Sequence, residues 1–255
     1  MKRYERYVAI GDSTTEGLDD PDGRGGYRGW ADRFAEHVAR HQGGLLYANL
    51  AVRGRSTRAI RDGQLEAALA LRPDLATVVV GMNDLIRPTM DLPGVVGMLD
   101  ELQRALVGAG ATVLTFTLPD LSPIVPLARV VRERTKRLND AFREVAAKNG
   151  ARLLDLAAHP LTSDPRLWAP DRLHANPLGH ERIGLGLAHA LGVPVGNDWE
   201  APLPPAPPRS WRDLLEAEAH WTREHLWPWV VRHVRGRSSG DGVTAKRPNL
   251  TPVVF

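Results

Sequence analysis

The segment Asp74–Gly81 reads DLATVVVG, and no other feature constrains the fold more. A strand with one wet face alternates apolar and polar residues. A nearly unbroken apolar run of strand length is what a strand covered on both faces carries, as in a parallel sheet with helices above and below. The rest of the chain supplies such a sheet: Tyr4–Ile10, Leu45–Val52, Ala111–Thr117 and Ala151–Leu156 read as four further strands. Between and after them lie helical stretches. Tyr27–His41 carries Trp30, Phe34 and Val38 at helical spacing, and Ser56–Leu71 carries Ile60, Leu65 and Leu69. Val95–Val107, Pro126–Asn149 and Leu178–Leu191 complete the set, with Gly108, Gly110 and Gly150 as stop signals. Strand and helix alternating five times predict an α/β fold with a five-stranded parallel sheet and helices on both faces. Ligands of such folds bind beyond the carboxyl ends of the strands. The loops after Ile10, Val52, Val80, Thr117 and Leu156 therefore matter most.

Composition removes several alternatives. The 255 residues suffice for one substantial domain, expected over 1–196. Without cysteine there are no disulfides, thiolate metal ligands or Cys nucleophile. The net charge of +3 shows no basic stripe interleaved with aromatics, so nucleic acid is not an expected partner. Lys2 and Arg3 precede only a strand-sized apolar run, and no window approaches the ~18 apolar residues of a membrane span. A cytoplasmic protein is the default expectation. APLPPAPP, within 197–209, reads as a stiff linker. Beyond it, 210–255 forms an extension. Over Ser210–Val234 it is helical, with Trp211, Leu214, Leu215, Trp221, Leu226, Trp229 and Val230 near helical spacing, and Pro228 should kink or interrupt it. Residues 236–255 read as extended or loosely ordered. Amphipathic stripes mostly serve cores, so packing on the domain is favoured over a partner surface or membrane contact. Nothing fixes the oligomeric state.

Four loops carry residues suited to chemistry. Ile10-Gly11-Asp12-Ser13-Thr14 puts a serine directly after a buried strand, where its amide points outward with the first amides of a helix. Arg53-Gly54-Arg55 offers a glycine amide, and Gly81-Met82-Asn83-Asp84 an asparagine side chain, both as donors into the same crevice. Asp171-Arg172-Leu173-His174 offers an imidazole with a carboxylate three residues before it, able to reach Nδ1 and fix the tautomer. Singly, each has a plainer reading: a helix cap, two turns and a pair of surface residues. Together, on four strand-end loops, they supply a nucleophile, oxyanion donors and an oriented base.

GDST at 11–14, Gly54 in AVRGRST, GMND at 81–84 and DRLH at 171–174 resemble the four blocks of the SGNH (GDSL-type) serine hydrolase superfamily. The similarity spans roughly residues 4–192. It implies a flavodoxin-like three-layer α/β/α sandwich and a Ser-Asp-His triad of Ser13, Asp171 and His174. It also implies an oxyanion hole from the Ser13 and Gly54 amides and the Asn83 side chain. The reaction implied is cleavage of a small-molecule acyl ester through an acyl-enzyme. Two rival readings are acyl transfer to a sugar or alcohol by the same residues, and a binding protein of this fold without turnover. No G-x-S-x-G elbow follows a predicted strand, which disfavours the larger α/β-hydrolase fold.

No metal or other cofactor is expected. Asp19, Asp20 and Asp22 lack the spacing of a calcium loop and read as a solvated loop, and no phosphate-binding glycine motif follows a strand. His180 has no carboxylate at the matching spacing and is expected to be structural, and Asp12 to be a loop-forming acceptor. Leu121, Ile124, Val125 and Leu127, after the fourth strand, are candidates for an apolar pocket wall.

Overall fold

The computed structural model describes residues 2–87, 89–196, 199–207, 210–228, 231 and 238–254, without the side chains of residues 126 and 127. Its strands are β1 (Arg6–Ile10), β2 (Leu46–Asn49), β3 (Leu75–Val78), β4 (Thr112–Phe116), β5 (Arg152–Leu154) and β6 (Arg247–Pro252), in the order β5-β4-β3-β1-β2-β6. The first five pair in parallel, and their order is that of a flavodoxin-like sheet. The sheet order turns back between β1 and β3, which opens a crevice at their carboxyl ends.

The count of five strands is corrected to six. β6 lies antiparallel on β2, pairing Leu46 with Pro252, Tyr47 with Thr251 and Asn49 with Arg247 across an irregularity. Its sequence, RPNLTP, holds two prolines and no apolar alternation, so nothing in it signals a strand. It is an edge, where a missing N–H is tolerated and where the otherwise open flank of β2 gains a partner.

Seven helices order the layers around this sheet. They are α1 (Ser13–Glu16), α2 (Gly29–Gln42), α3 (Thr57–Ala70), α4 (Met82–Leu85), α5 (Leu92–Gly108), α6 (Arg132–Asn149) and α7 (Pro177–Leu191). The Pro126–Asn149 stretch is split, with a 3-10 turn over Pro126–Val130 ahead of α6. β1 shows how period two builds both cores. Tyr7 and Ala9 pack with Trp30, Phe34 and Val38 of α2 and Leu187 and Leu191 of α7. Val8 and Ile10 face Ile60, Leu99, Leu102 and Phe142 on the other side. Within the first core, the Tyr7 ring stacks on Tyr47 at 4.9 Å and meets Phe34 edge-on at 5.1 Å.

In the extension, α8 (Trp211–Trp221) starts at a capping box formed by Ser210 and Asp213. It widens into a π turn over Thr222–Leu226, just before Pro228, whose missing N–H disfavours a regular turn. The apolar stripe is not a buried one: Trp221 is buried, whereas Trp211, Leu214, Leu215 and Trp227 are exposed. Trp229, Val230 and Val234 lie outside the described residues. Trp221 Nε1 donates to the Asp171 carbonyl at 3.1 Å, and the Arg172 guanidinium lies over the Trp221 ring and pairs with Glu218 at 2.7 Å. Among the described residues, no helix is long and apolar enough to cross a membrane.

Candidate active site

β1 ends at Ile10, and the chain turns at once into α1. Gly11 is required by crowding: a Cβ there would lie 2.2 Å from Thr15 Oγ1 and 2.8 Å from the Val79 carbonyl. Gln64 of α3 clasps Gly11 from both sides, accepting from its N–H and donating to its carbonyl at 2.9 Å each. Asp12 caps α1, accepting from Thr14 N at 3.1 Å. Ser13 is then the first residue of α1, where backbone amides have no intrahelical acceptor.

The neighbouring loops are tied to this turn. After β2, Arg53 N donates to Glu16 Oε2 at 2.8 Å, and the Arg53 guanidinium pairs with the same buried carboxylate and lies over the Tyr27 ring. Gly54 follows at φ +72°, a left-handed conformation, and a Cβ there would lie 2.2 Å from Ser238 Oγ of the extension. After β3, the Asn83 amide donates to Asp12 Oδ2 at 2.9 Å and to the Arg55 carbonyl at 3.1 Å. Asp84 holds the second loop, accepting from both Thr57 N and Thr57 Oγ1 at 2.8 Å.

The last loop closes the constellation. Asp171 Oδ1 accepts from the amides of Leu173 and His174 at 2.9 and 3.0 Å, which shapes the turn. Its Oδ2 lies 2.6 Å from His174 Nδ1, and His174 Nε2 lies 2.8 Å from Ser13 Oγ. Burial works to raise Asp171, but hydrogen bonds and charge from His174 and the loop amides hold it below the ordinary carboxylate value. An ionised carboxylate only accepts, so Nδ1 carries the proton and Nε2 is left to accept from the Ser13 hydroxyl. Burial works to lower His174, yet the hydrogen bond and charge of Asp171, with the charges of Asp19 and Asp12, raise it above the ordinary histidine value.

The structure thus brings Ser13, Asp171 and His174 into one hydrogen-bonded series. Asn83 sits against the residue preceding Ser13, and Gly54 lies on the adjoining loop beneath Ser238. His180 is buried elsewhere: its Nδ1 accepts from Trp30 N at 3.1 Å and its Nε2 donates to the Leu18 carbonyl at 2.9 Å. Leu121 and Ile124 are buried near the last loop, where the Ile124 carbonyl accepts from Arg172; the side chain of Leu127 lies outside the described residues.

The acidic segment 19–22 is not a uniformly solvated loop. Asp22 accepts from Arg24 N and Gly26 N and shapes an exposed turn. Asp20 is buried and holds Gly29 N and Arg33. Asp19 Oδ2 stands 3.4 Å from His174 Nδ1. Composition alone could not separate these three roles, because the partners lie up to 155 residues away. Asp19, Asp171 and His174 also present potential metal-ligand atoms within 4.8 Å of one another. A cation there would need the lone pair of Nδ1, which moves the ring proton to Nε2 and removes the acceptor of the Ser13 hydroxyl.

The sequence profile of the GDSL-like lipase/acylhydrolase family matches residues 9–182. No curated protein matches the chain by sequence. Among solved structures, the fold is similar to that of an α/β hydrolase enzyme from the metagenome of Lake Arreo, Spain, with a TM-score of 0.63 and 21% identity over 75% of this chain and 97% of that one. It is also similar to a variant of an acetyl xylan esterase from Geobacillus stearothermophilus, with a TM-score of 0.61 and 18% identity over 76% of this chain and 97% of that one. A lipase/acylhydrolase from Enterococcus faecalis gives a TM-score of 0.60 and 22% identity, over 73% and 95% of the two chains.

Proposed function

This chain belongs to the GDSL-like lipase/acylhydrolase family, and from that premise we propose that it hydrolyses carboxylic esters through an acyl-enzyme on Ser13. His174 takes the Ser13 proton on Nε2 as Oγ attacks the ester carbonyl, and returns it to the departing alcohol. Asp171 holds the ring and balances the imidazolium charge. The oxyanion is received by the Ser13 and Gly54 amides and by Asn83, whose amide must turn from Asp12 or Arg55 toward the substrate. Water, activated by the same imidazole, then releases the acid.

The observation that carries this reading is the unbroken series of two short contacts, 2.6 Å from Asp171 to His174 and 2.8 Å from His174 to Ser13, the second joining residues 161 positions apart. The extension 210–255 belongs to the working enzyme, because its residues touch the carbonyl of Asp171 and the carbonyl of Gly54. Buried Leu121 and Ile124 beside the last loop favour an apolar acyl group.

A fluorophosphonate probe tests the assignment. It should label the wild-type chain once and leave Ser13→Ala unlabelled, with ester hydrolysis reduced by ~10⁴-fold or more. Equal labelling of the two proteins refutes Ser13 as nucleophile. A series of p-nitrophenyl esters of increasing chain length then reads out the acyl preference.

A further inference from the structure

Two carboxylates, not one, face the proton-bearing nitrogen of His174. Asp171 Oδ2 is at 2.6 Å and Asp19 Oδ2 at 3.4 Å. They come from distant parts of the chain: Asp171 from the His174 loop itself, and Asp19 from the segment that follows α1.

The position of Asp19 is enforced from both sides. Before it, Leu18 N donates to the Ser13 carbonyl at 3.2 Å, and the Leu18 carbonyl accepts from buried His180. After it, the Asp20 side chain is clamped by Gly29 N and the Arg33 guanidinium, and the Asp20 carbonyl accepts from Arg28 N at 2.8 Å. Between these anchors Asp19 takes φ +64°, a left-handed conformation that aspartate and asparagine tolerate better than most residues. The segment from the Ser13 helix to α2 is thereby fixed so that one carboxylate reaches the back of the imidazole.

We propose that Asp19 is a second positioning carboxylate for His174, sharing with Asp171 the positive charge that develops when the ring takes the Ser13 proton. The inference rests on the reading of Ser13 and His174 given above. The proton passes from Ser13 Oγ to Nε2 while the Nδ1 proton stays on the ring, between the two carboxylates. Among the described residues, charged and titratable groups from several elements face the pair. Asp171, Asp19 and Asp12 act on His174, and His180 lies within electrostatic reach of it. Around Asp19 stand Asp171, His174, His225 and Arg53. The Asp19 side chain is 41% exposed, so solvent screens its effect to that of a partly exposed ion pair.

The test is the pH dependence of kcat/KM for a p-nitrophenyl ester with Asp19→Asn, which suits the positive φ. Asp19→Gly, also compatible with that backbone, is the second variant if the first folds poorly. Removing the anion makes the ring easier to deprotonate, so the acid limb should move down by about half a pH unit. KM should stay near its wild-type value, which a merely distorted pocket would not preserve. The Asp171→Asn loss should also deepen by about ten-fold when Asp19→Asn is added, since the remaining negative charge facing Nδ1 is then gone. An acid limb that stays in place or moves up overturns the inference whatever the plateau rate. Ser13→Ala, run alongside, separates the two levels. If it keeps full activity, the site reading fails and takes Asp19 with it. If it is inactive while the acid limb of Asp19→Asn is unmoved, the role of Asp19 alone is refuted.

Discussion

The parallel body of the sheet and its antiparallel edge strand are joined to the molecule by different forces. β3 is buried along its whole length, and its side chains enter the two apolar clusters that the helices close. β6 has no buried residue, only half-buried and exposed ones, and is held by backbone pairing and by cations. Lys246 donates to the carbonyls of Tyr27 and Arg28, at 2.8 and 2.6 Å, and to Asp32, while Arg247 lies over the Tyr47 ring at 4.9 Å. Burial works to raise Asp32, and the neighbouring Lys246 counters it. The body follows from where apolar residues fall. The edge depends on where a few charges find partners on elements far away in sequence.

That contrast can be broken or sharpened. The largest effect should come from within the body. Asn83→Ala should lower kcat by ~10²–10³-fold, about 3–4 kcal/mol of transition-state stabilisation, with the fold unchanged. A rate within a few-fold of wild type would leave Asn83 as only the partner of Asp12. Next comes removal of residues 210–255. This opens the β2 edge, leaves Asp32 without Lys246 and takes Trp221 from the Asp171 carbonyl. It should cost about 3 kcal/mol, seen as a Tm lower by about 10 °C, and reduce kcat/KM several-fold. An unchanged Tm would mean that the edge strand is an ornament on an independent body. The smallest effect is a pH response of the body alone. Burial lowers His180 to about 4, against the pull of its hydrogen bond to Leu18. Between the ordinary value of 6.5 and about 4, the unfolded chain takes up a proton that the folded chain refuses. Stability should therefore fall as pH drops through that window, by roughly 3 kcal/mol. A His180→Asn variant whose Tm falls just as steeply would assign the response elsewhere.

The legible parts of the sequence share one property: their signal is local. The apolar run at Asp74–Gly81 marks β3, and the spacing of Trp30, Phe34 and Val38 marks α2, because period and burial coincide there. The four loops were readable for a related reason. Those of Ser13, Gly54 and Asn83 follow closely on the ends of β1, β2 and β3, so topology sets their place in the crevice; the Asp171–His174 loop lies well beyond β5 and is legible from its own spacing. What escaped was set by distant partners. RPNLTP becomes a strand only because β2 offers it an edge, and the exposed Trp211 and Trp227 show that aromatic spacing alone does not decide burial. Glu16 looks like an ordinary helix residue until Arg53 is seen over it, and Asp19 resembles Asp22 until His174 is brought alongside.

The pairing of β6 with β2 also orders events in time. During synthesis the flank of β2 is left bare for some two hundred residues, until the segment around Arg247 has been made. A nascent or prematurely released chain would thus hold a nearly finished sheet with one sticky rim, open to pairing with its neighbours. Gly54 would lack its Ser238 cover over the same interval, so one late stretch both seals the rim and covers Gly54.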